Sequence, residues 1–473
     1  MKTETAVTMP WPTIASAARA LARGEVSAEA LTRDCLASLL QRDSDLHVVA
    51  RLDPDRALAQ AAASDARRRA GRALGPLDGI PLAHKDVFFR AGVPSASGSR
   101  SRLGFVPDAT AHVIERLDAV GAVDLGRLNM VEIALGPTGL NQAMGSPRNP
   151  WSRDHIAGGS SSGSAVAIAA GLCFGGLGTD TGGSIRTPAA CCGLVGLKPT
   201  FGAVSRRGVL PLSVSLDHVG VLARTVGDAE AIFAAIAGPD PEDPWSVRPP
   251  ALRPSADIRE IRVGVPEDLR RFGVVPEVAE LLQTSVDALR QLGLRIVPVS
   301  LDWFEPANTA VNIVLASEAA AIWRRQLEDA PGLLDPDTRA RLAPGIAYSA
   351  VDYIDALRLR GKLLQEALSG VFARVDMLHL PVLPIPVPTV AEARRPNGID
   401  YLSFAYASRS INLLGLPALA LPMGLTGNGL PNGFQLVGRP HSEALLLAIG
   451  RAHEAAGPAF PRPAPPAQAR RSV

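Results

Sequence analysis

Two glycine- and serine-rich segments place the strongest constraint on this chain: Gly158-Gly159-Ser160-Ser161-Ser162-Gly163-Ser164, and Gly178-Thr179-Asp180-Thr181-Gly182-Gly183-Ser184-Ile185-Arg186. Glycine lets the backbone take positive φ and approach another group closely, so the middle of the chain must form tight, close-packed loops. A phosphate cradle is one use of such loops. Neither segment continues into the Gly-Lys-Ser/Thr ending that sets a lysine on the β- and γ-phosphates, which disfavours that use. Gly159-Ser160-Ser161-Ser162-Gly163 also has the Gly-x-Ser-x-Gly form of a nucleophile elbow centred on Ser161. That elbow needs a strand directly before it, and residues 149–156 are polar and proline-containing, which reads as loop. Its acid and histidine partners should follow, yet none of His218, His379, His441 and His453 stands in a suggestive setting.

The flanking sequence gives the fold class. Up to Arg72, alanine, leucine and charge recur at helical spacing over 13–40 and 54–70, so residues 1–72 are expected to be a helical N-terminal portion. Beyond Pro76, short apolar runs at 79–83 and 122–125 alternate with helical stretches such as 109–120, the pattern of an α/β sheet covered by helices. The most apolar segment, 165–178, is short and glycine-rich and reads as a buried helix, not a membrane span. Six prolines between Gly238 and Pro254 mark a surface crossing inside one catalytic domain, 73–460. After it, 261–265, a helix within 276–292, and 295–301 read as a βαβ unit. A helix at 349–372, a strand at 377–388 and a buried segment at 412–422 follow. The proline-rich tail, 461–473, is expected to be disordered.

Charge argues against an electrostatic partner. Forty-eight Lys plus Arg against 46 Asp plus Glu leave a net charge of +2, no basis for a nucleic-acid or acidic-membrane footprint. The densest basic run, Arg67, Arg68, Arg69 and Arg72, reads as a solvated helix face. Four cysteines without paired spacing suit a reducing compartment, and Cys191 and Cys192 read as small buried residues. Residues 1–13 lack the apolar run of a signal peptide, so a soluble, cytoplasmic protein is expected.

Lys85 follows the apolar run Gly79-Ile80-Pro81-Leu82-Ala83. A lysine at the end of a buried strand is costly unless neutral or paired, and alternation along the strand turns His84 and Asp86 to the other face. From this segment alone, a surface lysine at a strand end fits equally well. A serine hydroxyl is a poor nucleophile without a base; a deprotonated lysine can serve, and an intervening serine can pass the proton. The turn Thr181-Gly182-Gly183-Ser184 then offers consecutive N–H groups as an oxyanion hole.

These residues resemble the amidase signature hydrolases over 77–455. The matching segments are Pro76-Leu77-Asp78-Gly79-Ile80-Pro81 with Lys85-Asp86, the two glycine-serine segments whose Ser160 and Ser184 stand 24 residues apart, Gly193-Leu194-Val195-Gly196-Leu197-Lys198-Pro199-Thr200, and Asn412-Leu413-Leu414-Gly415-Leu416-Pro417. Ser162 stands where many members have glycine. The resemblance implies a Ser–cis-Ser–Lys triad of Ser184, Ser160 and Lys85, with Ser161, Asp180 and Arg186 in support. It implies a twisted mixed β-sheet covered on both faces by α-helices, and no cofactor or metal.

For substrate, the resemblance divides free-standing amidases from the related A subunits of glutamyl-tRNA amidotransferases. Members that hydrolyse glutamine carry an aspartate seven residues before the Asn of the Asn-Leu-x-Gly-Leu-Pro segment; here that position is Ala405. Arg360 matches the position that grips the substrate carboxylate in those enzymes. Ala134-Leu135-Gly136, resembling the acyl-pocket wall, offers no charge. The expectation is therefore a free-standing amidase, monomer or homodimer, with a small uncharged amide or carbamate as its only partner and Leu135, Gly136 and Arg360 at the substrate. A glutaminase subunit of an amidotransferase is the alternative, and a non-catalytic binding protein on the same fold a second; Lys85, Ser160 and Ser184, whose loss would mark the latter, are all present.

Overall fold

The computed structural model describes residues 13–248, 257–395 and 401–463. Part of the proline-rich crossing and most of the tail, 464–473, lie outside the described residues. The described residues begin with helices α1 (Ile14–Ala22), α2 (Ala28–Leu46) and α3 (Pro54–Arg69). Their starts are written in the sequence: the Thr13, Ser27 and Asp53 side chains each accept a first-turn backbone N–H, and Pro54 sits at the first helical position of α3. The N-terminal portion is not wholly helical, because strand β1 (Val49–Leu52) follows the left-handed His47 that ends α2. β1 pairs antiparallel with β3 (Val123–Leu128), which pairs parallel with β2 (Pro81–Lys85); helix α4 (His112–Ala119) leads into β3.

The segment 165–178 is not one helix. Helix α5 (Ser162–Ala169) stops before Gly171, whose φ of +71° breaks the helical run, and the chain resumes as β4 (Gly175–Asp180). Helix α6 (Arg186–Cys192), β5 (Val195–Lys198), β6 (His218–Ala223) and α7 (Val226–Ile236) follow. The expected βαβ unit is present as β7 (Arg262–Pro266), α8 (Pro276–Gln291) and β8 (Arg295–Val299), with β7 and β8 parallel. With β9 (Met377–Pro381), β10 (Ala418–Leu425) and β11 (Pro431–Gly438), these strands form a mixed eight-stranded sheet in the order β4-β6-β5-β10-β11-β9-β7-β8, flanked by helices.

The longest helix, α9 (Phe304–Asp329), packs on α10 (Pro336–Ala347) and α11 (Ala350–Ser369). Sequence reading passed over α9, although buried Phe304, Ala307, Val311 and Val314 recur at helical spacing. All four cysteines are free and buried. Among the described residues no helix is long and apolar enough to cross a membrane.

Candidate active site

The small sheet and the large sheet meet along β2 and β4. Phe174 N donates to Pro81 O at 3.2 Å, Leu177 N donates to His84 Nδ1 at 3.3 Å, and a Cβ on Gly176 would collide with the Ala83 carbonyl. Only glycine permits that approach. It brings Lys85, the last residue of β2, against the loops at both ends of the α5–β4 unit. Lys85 Nζ lies 2.7 Å from Ser160 Oγ and 2.8 Å from Thr179 Oγ1, and both lysine and Ser160 are fully buried. Burial lowers the Lys85 pKa to about 7, against the opposing pull of Asp217 and Asp180, so the neutral amine is accessible near neutral pH. Asp86 points elsewhere, accepting from Ser97 N at 2.7 Å, and burial keeps His84 neutral.

The Gly159–Ser160 peptide bond is cis. Ser161 N donates to Ser184 O at 3.2 Å, which ties the first serine loop to the turn that carries Ser184. Ser161 itself is buried and its hydroxyl donates to Thr179 O at 3.3 Å, while Ser184 is partly exposed and lines a cavity of about 670 Å³. No histidine lines that cavity among the described residues, and His218 is held against Leu216 O. The geometry therefore does not support the elbow centred on Ser161.

Asp180 organises the turn. Its carboxylate accepts from Gly183 N (2.7 Å), Ile185 N (3.1 Å), and Arg186 Nε and Nη2 (3.0 and 2.9 Å). Burial raises the Asp180 pKa, but the charge and hydrogen bonds of Arg186 more than offset this and hold the carboxyl below its ordinary range. Arg186 also reaches Gln435 Oε1 at 2.7 Å and Ser408 O at 3.0 Å, linking the turn to β11 and to the helix Tyr406–Leu414. One expected oxyanion donor is thereby removed: the Gly183 N–H is engaged by Asp180. Thr181, Gly182 and Ser184 keep N–H groups that meet no protein acceptor among the described residues.

The cavity over Ser184 carries more charge than the sequence suggested. Ala134, Leu135 and Gly136 form one wall, with Ile133 and Ala134 both at positive φ (46° and 65°), a conformation that non-glycine residues hold only under constraint. Ala405 also lines the cavity, but Arg341, Arg395 and Arg409 join it, and no Asp or Glu does among the described lining residues. Arg360 is not among the lining residues; its guanidinium stacks 5.1 Å from the centroid of Phe201. Arg341 and Arg409 lie far from the glycine-serine segments in sequence and were missed for that reason.

A family model described as Amidase matches residues 30–447. The chain belongs to the amidase family. Like the family, it is an amidohydrolase acting on carbon–nitrogen bonds. It is 41% identical to the A subunit of the glutamyl-tRNA(Gln) amidotransferase of Chloroflexus aurantiacus (strain ATCC 29366 / DSM 635 / J-10-fl), over 93% of this chain and 96% of that protein. Among solved structures it is similar to a chain from a vestigial protein complex bearing on the evolutionary origins of an s-triazine catabolic enzyme (TM-score 0.87, 33% identity, 96% of this chain and 100% of that one). It is also similar to the A subunit of the glutamyl-tRNA(Gln) amidotransferase from Thermotoga maritima (TM-score 0.79, 27% identity, 96% and 97%).

These relatives correct two expectations. A free-standing amidase for small uncharged amides, anilides, carbamates or urethanes is overturned by full-length relatives that are amidotransferase A subunits. The same finding overturns a monomer or homodimer whose only partner is a small molecule, since an A subunit is one component of a larger enzyme and that enzyme's name includes a tRNA. The physical reason lies in the cavity: an uncharged site was inferred from residues 134–136 and Ala405 alone, and tertiary packing adds Arg341 from α10 and Arg409 from the helix Tyr406–Leu414 to the lining.

Proposed function

We propose that this chain is the amide-hydrolysing component of an amidotransferase of the glutamyl-tRNA(Gln) kind, releasing ammonia from the side-chain amide of an amino acid such as glutamine. Neutral Lys85 accepts a proton from Ser160 as Ser160 accepts one from Ser184, and Ser184 Oγ attacks the amide carbon. The carbonyl oxygen takes up charge against the N–H groups of Thr181, Gly182 and Ser184. Return of the proton through Ser160 to the nitrogen releases ammonia and leaves an acyl ester on Ser184, which water hydrolyses by the same relay. Asp180, Arg186 and Ser161 act by holding the turn, and Leu135 and Gly136 by shaping the acyl wall. A cytoplasmic setting, alongside tRNA, belongs to the same proposal.

The observation that carries it is the 2.7 Å contact between Lys85 Nζ and Ser160 Oγ behind a nucleophile that opens into a cavity whose lining includes polar arginines. The test is ammonia release from L-glutamine by the chain purified with its co-expressed partner subunits, with Ser184→Ala as control. Ammonia from glutamine that disappears in the variant is expected. Turnover of a neutral anilide in preference to glutamine, by a chain that runs alone on sizing, would overturn it.

A further inference from the structure

The turn that carries Ser184 is held from a second side, by a carboxylate outside the serine–lysine relay. β4 and β6 pair antiparallel with Asp180 opposite His218. The same register sets Thr181, one residue past the end of β4, opposite Asp217, one residue before β6. Their side chains meet there: Thr181 Oγ1 donates to Asp217 Oδ1 at 2.6 Å, and both residues are buried. The other carboxylate oxygen accepts from Leu212 N at 2.8 Å and Ser213 N at 3.0 Å. The loop supplying those donors is pinned in turn by Glu318 on α9. That carboxylate accepts from Ser213 Oγ, from Ser215 N at 3.0 Å and Ser215 Oγ at 2.6 Å, and from the Tyr353 hydroxyl of α11 at 2.7 Å. Asp217 therefore has a fixed place in the fold, and the groups that hydrogen-bond to it there are neutral.

We propose that Asp217 is a positioning residue of the acylation step, aiming the Thr181 N–H through the Thr181 hydroxyl and balancing the charge that Lys85 acquires. This rests on the acyl-enzyme reading above and not on which amide is cleaved. Thr181 lines the cavity over Ser184, and a donor fixed in advance stabilises a developing oxyanion without rearranging first. Tethering the Thr181 hydroxyl to a buried carboxylate fixes the residue whose N–H serves as that donor. Lys85, fully buried, becomes an ammonium when the proton arrives, and an anion facing it favours that charged form. Asp217 and Asp180 are the carboxylates that act on it. Asp180 is paired with Arg186 at 2.9 Å. The cation that acts on Asp217 is Arg206, which also faces Asp243 and Glu318; its guanidinium lies over the Phe201 ring and donates to Val214 O at 2.6 Å.

The test follows the rate at which a fluorophosphonate labels Ser184 in the full chain, as a function of pH around neutrality. That rate reads both the base and the oxyanion turn and needs no natural substrate. Asp217→Asn keeps the shape and can still bond Thr181 and the two N–H groups, but lacks the charge. Its alkaline rise is expected about one pH unit below that of wild type, because a lysine facing one anion fewer binds its proton less tightly. Its plateau should be about tenfold lower, since a weaker base takes the proton less readily. Thr181→Val keeps the charge and removes the hydroxyl. Its plateau should fall by about tenfold to a hundredfold while its rise shifts less than that of Asp217→Asn, and Thr181→Ser should recover most of the loss. A purely structural role would lower the melting temperature without moving the rise. An Asp217→Asn chain whose rise coincides with that of wild type overturns the proposal. So does a Thr181→Val chain labelled at the wild-type rate, and this second variant decides the matter if the first does not fold. A wild-type chain that shows these shifts but releases no ammonia from glutamine overturns the proposed function and leaves the role of Asp217 standing.

Discussion

Lys85 has a second partner besides Ser160: its Nζ lies 2.8 Å from the hydroxyl of Thr179, on β4, five residues before the nucleophile. Thr179 thus fixes the direction in which the lysine presents its lone pair. Replacing Thr179 by Val is expected to lower kcat by about tenfold to a hundredfold, the scale of a misdirected catalytic group, with KM within about twofold. Thr179→Ser, which keeps the hydroxyl, should stay near wild type. Steady-state kinetics with one substrate decide this, and an unchanged kcat in the Val variant removes Thr179 from the relay.

The lysine sets the pH dependence. With its pKa lowered to about 7 by burial, kcat/KM should rise with pH through about 7 and then level, because only the neutral amine accepts a proton. Lys85→Arg, which stays protonated, should be as inactive as Lys85→Ala.

Stability follows with a definite sign. Between about pH 7 and the unfolded value of 10.5, the unfolded chain holds the Lys85 proton and the native one does not, so native stability rises with pH across that window. Lys85→Met should therefore be inactive yet melt a few degrees higher than wild type at pH 7, as measured by calorimetry. A lower melting temperature would mean that the two hydroxyl contacts outweigh the cost of burying the amine.

Ser184→Ala should reduce turnover by about 10⁴-fold or more, since no acyl ester can form. A fluorophosphonate should label the peptide carrying Ser184; label on Ser161 would reinstate the elbow reading.

The Asp180–Arg186 pair is fully buried on both sides, so removing one partner strands the other. Arg186→Ala is expected to cost about 3–5 kcal/mol by urea denaturation. Because Asp180 is held below the usual carboxylate range, its contribution is complete above pH about 3.8 and is lost as pH falls through its native value. Asp180→Asn should accordingly flatten the acid limb of the stability profile.

The parts of the site visible in the sequence are those where local backbone chemistry leaves a trace. Gly182 and Gly183 announce a turn, and an apolar run leading to Lys85 announces a buried strand. Asp180 was legible as a support, but not that its carboxylate takes the Gly183 N–H, because that depends on the turn's final shape. Arg341 and Arg409 gave no local sign: each sits on an ordinary helix, and only tertiary packing turns it toward Ser184. The same holds for β1, four residues whose strand character comes from pairing with β3 and not from their own composition.

The close approach of β2 to β4 at Gly176 has a consequence for how this protein fails. Lys85 belongs to one sheet, while Thr179 lies on the first strand of the other and Ser160 and Ser184 flank it, so the proton relay spans a seam between two separately paired sheets. A lesion that loosens the seam by an ångström leaves both sheets intact and the relay broken. Lesions such as Gly176→Ala should thus yield molecules that fold, circulate and bind, but stay silent, and a screen scored on abundance alone would pass them.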